Sequence, residues 1–318
     1  MENLKDKYVR SIISLGNSKA MTFPQEWTNL ANLDEKSEVK LYPIDENNLI
    51  IRVGDTTEPM SFHIDEEWPI QLIKRAIISA FKLNVDEIYI KYNENTEESL
   101  NEKLIELGSE LIGLDYKHLD DRQEIYIRFL VDPSKTTLPE ILMDLSNVFT
   151  TIIKNAIEGT KKKNDFLLAE LEKKYHLGRR ILITGLSDFP SKGYRNKPTI
   201  RFLGDRVVLL YIRDFINEAL VFQSISNKII KKYSVILRKI TKFLKDIIVN
   251  YNKINLNSLS DFKNYLDKLK NSLEDIDYDS TNNEEMEVRN AINYYLHSFR
   301  NFFDIGITRL IESLIGIV

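Results

Sequence analysis

Residues 8–53 read YVRSIISLGNSKAMTFPQEWTNLANLDEKSEVKLYPIDENNLIIRV and carry the clearest local structure signals in the chain. Apolar residues alternate with polar ones up to Leu15, which is the pattern of a half-buried strand. Gly16–Ser18 follows with residue types that close a tight hairpin, since Gly and Asn tolerate positive φ. Pro24 predicts the first turn of a short helix, where its missing N–H costs nothing.

Two further strands are predicted in this segment, Val39–Pro43 and Leu49–Val53, joined by the polar residues 45–48. A segment of this length has too little apolar surface to bury a core alone. We therefore predict that two copies of the chain interleave here, which makes the protein a homodimer.

The order of these motifs resembles the swapped-hairpin DNA-binding domain of the AbrB/SpoVT family. In that family a basic strand precedes a Gly-x-Ser turn, and an apolar-Pro-x-x-Trp run follows it. The positions of this sequence that match are Arg10, Gly16, Ser18, Phe23, Pro24 and Trp27. Two positions depart, because Ser11 replaces the second basic residue and Ser37-Glu38 replaces the usual Gly-Asp. The resemblance covers residues 1–53 and implies a swapped-hairpin β domain that binds duplex DNA.

The residues that the resemblance assigns to DNA are Arg10 and the turn residues Asn17, Ser18 and Lys19. Arg10 and Lys19 would supply phosphate or base contacts, and backbone N–H groups of the turn would add phosphate contacts. Residues 1–53 nevertheless contain seven basic and eight acidic side chains. We therefore expect DNA binding that is weak or strongly sensitive to salt.

The composition excludes several classes of chemistry. The 318 residues include no cysteine, which rules out disulfides, thiolate zinc sites and cysteine nucleophiles. Phosphate-binding loops, Gly-x-Gly-x-x-Gly motifs and Gly-x-Ser-x-Gly elbows are absent from the sequence, so we predict a protein that is not an enzyme and needs no cofactor. The charged start Met1–Lys7 and the lack of any apolar run of about 18 residues predict a cytoplasmic protein without membrane insertion.

Residues 60–131 alternate strand and helix patterns after a linker at residues 54–59. Two segments, Val85–Ile90 and Glu124–Ile127, show the period-two alternation of half-buried strands. The order strand, helix, strand, helix, strand, strand predicts a small α/β sandwich of roughly ferredoxin-like type. Such a domain is either a spacer or dimerisation module without chemistry, or a sensor of a small ligand.

Residues 132–318 begin with Asp-Pro-Ser and then repeat apolar residues with the helical period of 3.6. The predicted helices are Leu138–Glu158, Asn164–Leu186, Ile200–Ile225, Asn227–Tyr251, Leu259–Leu273 and Glu284–Ile315. The segment Arg213–Asn217 is echoed by Arg300–Asp304, and this predicts a six-helix domain of two three-helix bundles laid end to end. The chain as a whole is therefore predicted to be a multidomain α+β protein.

This order of parts is similar to that of archaeal proteins of the PhoU family, which regulate phosphate uptake. The junction at Ile127–Asn147, with its Leu-Val-Asp-Pro-Ser and the leucine-rich helix after it, fits that family well. The resemblance implies a cytoplasmic regulator whose helices hold metal clusters through repeated Glu/Asp-x-x-x-Asp motifs. It also implies a phosphate-transporter ATPase subunit as a partner.

The metal motifs are where the chain departs most from that family. A spacing of four residues places two ligands on one helix face. The matching positions hold Glu172 and His176, Arg213 and Asn217, and Arg300 and Asp304. Arginine stays cationic and ligates no metal, so metal binding is not transferred and only Glu172 and His176 remain as candidate ligands. Arg213 and Arg300 instead indicate either salt bridges between helices or an anion pocket, because the guanidinium fork suits carboxylate and phosphate.

The predicted helix at Asn227–Tyr251 is amphipathic and basic. One face carries an apolar stripe, and the rest is rich in lysine, including Lys231, Lys232, Lys239 and Lys242. This segment is either a core helix with a solvated lysine face, or a surface that docks an acidic partner or the DNA backbone.

These observations lead to one main hypothesis, a dimeric DNA-binding transcriptional regulator of the PhoU kind that is linked to phosphate uptake. The alternative is a non-catalytic interaction scaffold in which the N-terminal domain only dimerises the chain, and the even charge balance of residues 1–53 favours it. A third hypothesis, an antitoxin-like autoregulator, fits less well with so long a helical half.

Overall fold

The computed structural model combines α and β structure and is about two-thirds helical, which confirms the α+β prediction at that level. The chain divides into two compact units, Met1–Glu58 and Pro59–Val318, hereafter unit 1 and unit 2, and the boundary falls in the predicted linker. The residues that the structure describes are 9–43, 49–53, 59–160, 164–187, 199–250 and 253–315.

Unit 1 begins with a short antiparallel hairpin of β1 (Ile13–Leu15) and β2 (Ser18–Ala20). Its two-residue turn has Gly16 at φ +59°, whereas Asn17 does not adopt positive φ. Positive φ at the first central position alone is the pattern of a type II′ turn, whose twist matches that of paired strands. Both Gly and Asn tolerate positive φ, but in this turn only Gly16 adopts it.

The rest of unit 1 consists of one short helix and a second antiparallel hairpin. The helix α1 (Gln25–Leu30) starts directly after Pro24, and the hairpin pairs β3 (Val39–Pro43) with β4 (Leu49–Val53). The short helix and both strands that the sequence predicted are thus confirmed.

Unit 2 starts with a four-stranded sheet covered by two helices. The elements in chain order are β5 (Ser61–Ile64), α2 (Ile70–Lys82), β6 (Glu87–Lys91), α3 (Glu97–Glu110), β7 (Leu114–Leu119) and β8 (Glu124–Phe129). The strand order is β5-β6-β8-β7, with β5 parallel to β6 and the other neighbours antiparallel. A ferredoxin-like fold has βαββαβ connectivity, so that part of the prediction is wrong. The observed βαβαββ order gives one parallel crossover followed by a hairpin.

One face of this sheet is buried and the other is not. Ile88 and Ile90 of β6 and Ile127 of β8 are fully buried in a core that they share with α2 and α3. Tyr89 and Tyr126 alternate with them on the opposite face and are only half-buried. The period-two pattern of the sequence is therefore confirmed as a half-buried sheet.

Six helices follow in the described part of unit 2. They are α4 (Leu138–Glu158), α5 (Asn164–Ser187), α6 (Thr199–Glu218), α7 (Asn227–Asn250), α8 (Leu256–Glu274) and α9 (Asn283–Leu314). A short 3₁₀ turn at Ala219–Gln223 ends α6, where the sequence predicted a helix continuing to Ile225. Across the helices that the structure describes, none combines the length and apolarity that crossing a membrane requires.

The local sequence explains where α4 begins and ends. The backbone N–H of Thr137 donates to the Glu140 carboxylate at 2.7 Å, which is half of a capping box. Gly159 ends the helix with φ +75°, and a Cβ there would lie 2.7 Å from the side chain of Asn227. The backbone conformation therefore favours glycine, and a Cβ would also displace the exposed side chain of Asn227.

The buried residues of all six helices form one continuous hydrophobic core. The helices α4, α5 and α6 contact one another, as do α7, α8 and α9, and α4 packs extensively against α7. At the centre, the ring of Phe149 on α4 lies 4.9 Å from Phe215 and 5.6 Å from Tyr295. The two three-helix groups thus lie side by side around the α4–α7 pair, and the predicted end-to-end arrangement is wrong. Apolar faces along the length of both helices make the lateral contact favourable.

Arg180 on α5 joins the helices to the α/β part of unit 2. Its side chain is almost fully buried, and its guanidinium carbon lies 5.0 and 5.3 Å from the ring centroids of Phe81 and Phe129. Its Nη1 donates to the carbonyl oxygens of Phe81 and Val85, at 3.0 and 3.3 Å, where α2 ends. The Phe81 carbonyl also accepts from the backbone N–H of Asn84 at 3.2 Å, so Arg180 adds a charged donor at a helix end whose last carbonyls lack intrahelical partners.

Candidate functional site

Unit 1 exposes the apolar side chains that a core would need. No side chain that the structure describes between residues 9 and 53 is buried. The large apolar side chains on its surface are Val9, Ile12, Ile13, Leu15, Met21, Leu30, Leu41 and Leu49. Single exposed apolar residues are ordinary, but a folded unit without a buried side chain lacks the main stabilising contribution to folding. The described part of unit 1 therefore buries little apolar surface within the single chain.

The four residues predicted to contact DNA are all exposed in this unit. The structure brings Asn17, Ser18 and Lys19 together at the end of the first hairpin, with Lys19 Nζ donating to Ser14 Oγ at 2.8 Å. Arg10 lies three residues before β1, and its Nη1 donates to the carbonyl oxygen of the preceding residue at 3.1 Å. The hairpin end thus presents polar and cationic groups to solvent.

The second candidate site is a cavity of about 660 Å³ inside unit 2. Its walls come from α2, the end of α3, α5 and α6, so the cavity lies where the α/β part meets the helices. Its ionisable lining residues are Arg75, Lys82, Glu110, Glu172, His176 and Arg213.

Arg213 of α6 binds Glu172 of α5 through two donors. Its Nε and Nη2 lie 3.0 and 2.8 Å from Glu172 Oε1, and its guanidinium carbon lies 4.7 Å from the centroid of the Tyr175 ring. Both ionised side chains are partly buried, which weakens the screening of the pair by solvent. Arg213 thus forms the inter-helix salt bridge that was one of its two predicted roles.

His176 lies one helical turn after Glu172 and is 4% exposed. Its Nε2 lies 3.5 Å from Glu172 Oε2, whereas its Nδ1 has no hydrogen-bond partner in the part of the chain that the structure describes. Burial, together with the positive charges of Lys82, Arg213 and Arg179, lowers the pKa of His176 to about 3. The imidazole is therefore neutral at neutral pH.

Lys82, at the end of α2, is half-buried and makes no ion pair with any described carboxylate. Burial lowers its pKa, and the charges of Arg179 and Arg213 lower it further, while Glu172 acts in the opposite direction. Arg179 itself donates to the hydroxyl of Tyr175 at 3.2 Å. Three cations thus surround one carboxylate in this part of the molecule.

The other carboxylate of the cavity is already neutralised. Glu110 accepts from Lys74 at 2.7 Å, and Lys74 also binds Glu106 at 2.6 Å, which in turn binds Lys103 at 3.0 Å, so two lysines balance two carboxylates. Arg75, beside Lys74 on α2, is exposed at the rim and forms no ion pair with the described residues. The cavity therefore has a positive charge excess that the residues seen around it do not balance.

The residues of this cavity do not fit a metal ion. No group of three or more histidine, aspartate or glutamate side chains among the described residues is placed to hold one. Glu172 already accepts two donors from Arg213, and Lys82 and Arg179 would repel a cation. Glu172 and His176, the ligand candidates left by the family resemblance, belong instead to a cationic cavity.

Arg300, predicted to be the counterpart of Arg213, lies elsewhere in the fold. It is exposed on α9, and within the described ranges it forms neither a hydrogen bond nor an ion pair. The sequence echo between the two segments has a packing explanation, because Phe215 and Phe302 are both buried in the shared core. The structure does not bring the two arginines into one site.

The basic face of α7 is only partly available. Lys232 Nζ lies 2.8 Å from both carboxylate oxygens of Glu285, and Lys239 donates to a serine hydroxyl of α8 at 3.0 Å. The Lys232 hydrogen bonds are the main cause that lowers the pKa of Glu285. Lys231 and Lys242 remain exposed. The apolar stripe of α7 faces the core, as its periodicity predicted.

Sequence reasoning missed Lys82, Arg179 and Arg180, which are central to this part of the molecule. Each is one of many basic residues at helical spacing, and no local signal separates a buried cation from a solvated one. Comparison of the chain with protein-family models, curated proteins and solved structures found no match.

Proposed function

We propose that the chain is a dimeric DNA-binding transcriptional regulator of the PhoU kind, linked to phosphate uptake. Unit 1 of one copy pairs with unit 1 of a second copy, and Arg10, Asn17, Ser18 and Lys19 of both copies contact the duplex. The helices of unit 2 carry the response, through a phosphate-transporter ATPase subunit or another acidic partner. The single observation that carries the proposal is the uncovered apolar surface of unit 1.

The exposure pattern supports pairing between two copies. Eight large apolar side chains of unit 1 face solvent in the single chain, and no described side chain there is buried. A symmetric dimer uses the same surface of both subunits, so interleaved hairpins would cover the apolar residues of both copies at once. Two hairpin ends would then lie on one assembly.

The polar groups of the hairpin end support contact with a polyanion. Lys19 donates only to a serine hydroxyl among the described residues, so its ammonium remains available to phosphate oxygens. Contacts to phosphates position a protein on DNA, whereas base contacts determine sequence preference. Two copies of this surface would double the number of cations that meet the duplex.

The experiment is a salt titration of duplex binding with the full chain and its Arg10→Ala/Lys19→Ala variant. A dimer of this variant lacks four cations, and each lost phosphate contact lowers the slope of log K against log salt by about 0.9. We expect the slope to fall by about two to four units and the affinity at low salt to fall at least about tenfold. Fluorescence anisotropy with a labelled duplex measures both quantities.

The matched control is Lys239→Ala/Lys242→Ala, which removes the same number of cations from α7. The proposal expects the control to bind DNA like the unmodified chain. If only the control variant loses DNA binding, then α7 contacts the DNA backbone and unit 1 is rejected as the DNA-binding surface. A dimer that binds no duplex even at low salt would leave the interaction-scaffold alternative, which the even charge balance of residues 1–53 favours.

A further inference from the structure

We propose that the cavity between α2, α5 and α6 binds a small organic anion, whose phosphoryl or carboxylate group lies between Lys82, Arg213 and His176. The inference concerns unit 2 only. It is independent of DNA binding by unit 1, so either proposal can fail without the other.

The arrangement of charge around the cavity favours the binding of an anion. Lys82 and Arg213 line the cavity and Arg179 lies close to both, but Glu172 is the only carboxylate in contact with this group among the described residues. Like charges in a half-buried site repel each other more strongly than they would in water. A bound dianion would relieve that repulsion, and Arg213 keeps Nη1 as a donor that Glu172 does not use.

A second and independent observation is the unsatisfied nitrogen of His176. His176 lines the cavity and is only 4% exposed. Its Nδ1 nevertheless has no hydrogen-bond partner among the described residues. Buried polar atoms in native proteins nearly always have a hydrogen-bond partner. The neutral ring carries one N–H, and in the tautomer with the proton on Nδ1 this group would donate to an anion beside it.

The dimensions indicate a ligand larger than an inorganic ion. A cavity of about 660 Å³ falls within the range of small-molecule pockets. Ile78, Leu168 and Ala169 provide apolar wall next to the cationic residues, and the hydroxyls of Ser79 and Ser109 provide hydrogen-bonding groups. The site therefore suits a compact anion with an apolar or hydroxylated body.

The position of the cavity gives such a ligand a structural effect. Lys82 belongs to the α/β part of unit 2, whereas His176 and Arg213 belong to the helices. An anion held by all three would link the two parts through charge-assisted hydrogen bonds. Binding would therefore stabilise the relative placement of α2 against α5 and α6.

The test titrates the full chain with inorganic phosphate and, separately, with malonate, at constant ionic strength set by sodium chloride. Both probes carry the charge of the proposed ligand, and comparing them distinguishes phosphoryl from carboxylate recognition. We expect one of them to raise the melting temperature at concentrations up to about 10 mM. Isothermal titration calorimetry then gives the affinity.

Two variants at the site are expected to change that affinity in opposite directions. Lys82→Gln should weaken binding of the effective probe at least about tenfold, because it removes a charged donor. Glu172→Gln keeps an acceptor for Arg213 but removes the competing carboxylate, so binding should tighten several-fold. A residue with a purely structural role would not produce this opposed pair of effects.

The control is Lys242→Gln, which removes a lysine charge from the exposed face of α7 and should bind like the unmodified chain. Lys82→Gln should fold without loss of stability in the absence of probe, because the positive charges of Arg179 and Arg213 repel the ammonium that the substitution removes. The proposal is overturned if neither probe stabilises the unmodified chain, or if Lys82→Gln and Lys242→Gln bind equally well.

Discussion

Unit 1 and unit 2 differ in where their apolar side chains lie. In unit 2 the apolar stripes of six helices meet in one core, and a second core lies between the sheet and α2 with α3. In unit 1, whose strands and single helix are shorter, no described side chain is buried: eight large apolar ones are exposed and others, such as Phe23 and Trp27, are half-buried. Unit 2 therefore buries its cores within one chain, whereas the described part of unit 1 buries no side chain. The difference locates the subunit interface that we propose.

The largest effect is expected in the core of unit 2, at Phe149→Ala. Its ring is fully buried and contacts Phe215 and Tyr295, so truncation should lower the free energy of unfolding by about 3–5 kcal/mol. Urea denaturation followed by circular dichroism measures the change. Phe166→Ala, at an exposed phenylalanine, is the control and should stay within about 0.5 kcal/mol. Equal effects at both positions would contradict the core assigned to α4.

Charge placed on the apolar surface of unit 1 should separate the subunits. Ile13→Glu/Leu41→Glu would force two carboxylates into the proposed interface, which should raise the dimer dissociation constant at least about a hundredfold. Analytical ultracentrifugation over a concentration series measures that constant.

The matched control for the interface is Val235→Glu/Leu256→Glu, at two exposed apolar residues of unit 2. It should leave the dimer intact, and neither variant should alter the melting of unit 2. The opposite result, in which the unit 2 variant dissociates the dimer and the unit 1 variant does not, would place the interface on unit 2 and contradict the proposed contrast between the units.

Within unit 2, Arg180→Met should loosen the contact between the α/β part and the helices. The substitution removes the charged donor that Arg180 gives to the carbonyl oxygens of Phe81 and Val85, while Phe81 keeps its backbone donor from Asn84, and we expect a loss of about 2 kcal/mol. Amide hydrogen exchange should increase at the end of α2 more than in α7. Arg238→Met, on the exposed face of α7, serves as the control, and exchange that rises equally everywhere would indicate a global effect instead.

The smallest predicted effect is a dependence of unit 2 on pH through His176. Its pKa is about 3 in the folded chain, below the ordinary value of 6.5, because of burial and of Lys82, Arg213 and Arg179, with Glu172 as the only acid facing it among the described residues. The unfolded chain therefore binds a proton that the folded chain does not, so stability falls as the pH decreases below the ordinary value.

His176→Gln should remove this contribution. Between about pH 7 and about pH 5 the unmodified chain should lose about 1–2 kcal/mol more than the variant does. Chemical denaturation at each pH measures the difference, which would be zero if the ring titrated in the folded chain with its ordinary pKa.

Much of the secondary structure followed from the sequence because its signals are local. The strand pairs Val39–Pro43 and Leu49–Val53, and the helices of unit 2, were predicted within a few residues from turn residues and apolar periodicity. The candidate cavity did not follow in the same way. Glu172 and Arg213 were singled out by motif, but nothing nearby in the chain indicated that Lys82 and Arg179 would join them.

The residues alone established the element order, the polar hairpin end of unit 1 and the shortage of core there, since each depends on neighbours within a turn or a strand pair. Packing established which charges meet. Arg213 reaches Glu172 across 41 residues, and Arg180 reaches the end of α2 across 99. On α9, Arg309 and Glu312 are buried although both are charged. Their burial is possible because Asp205 of α6 pairs with Arg309 and Arg201 of α6 pairs with Glu312. Such pairs depend on the path of the whole chain, and no local pattern contains that path.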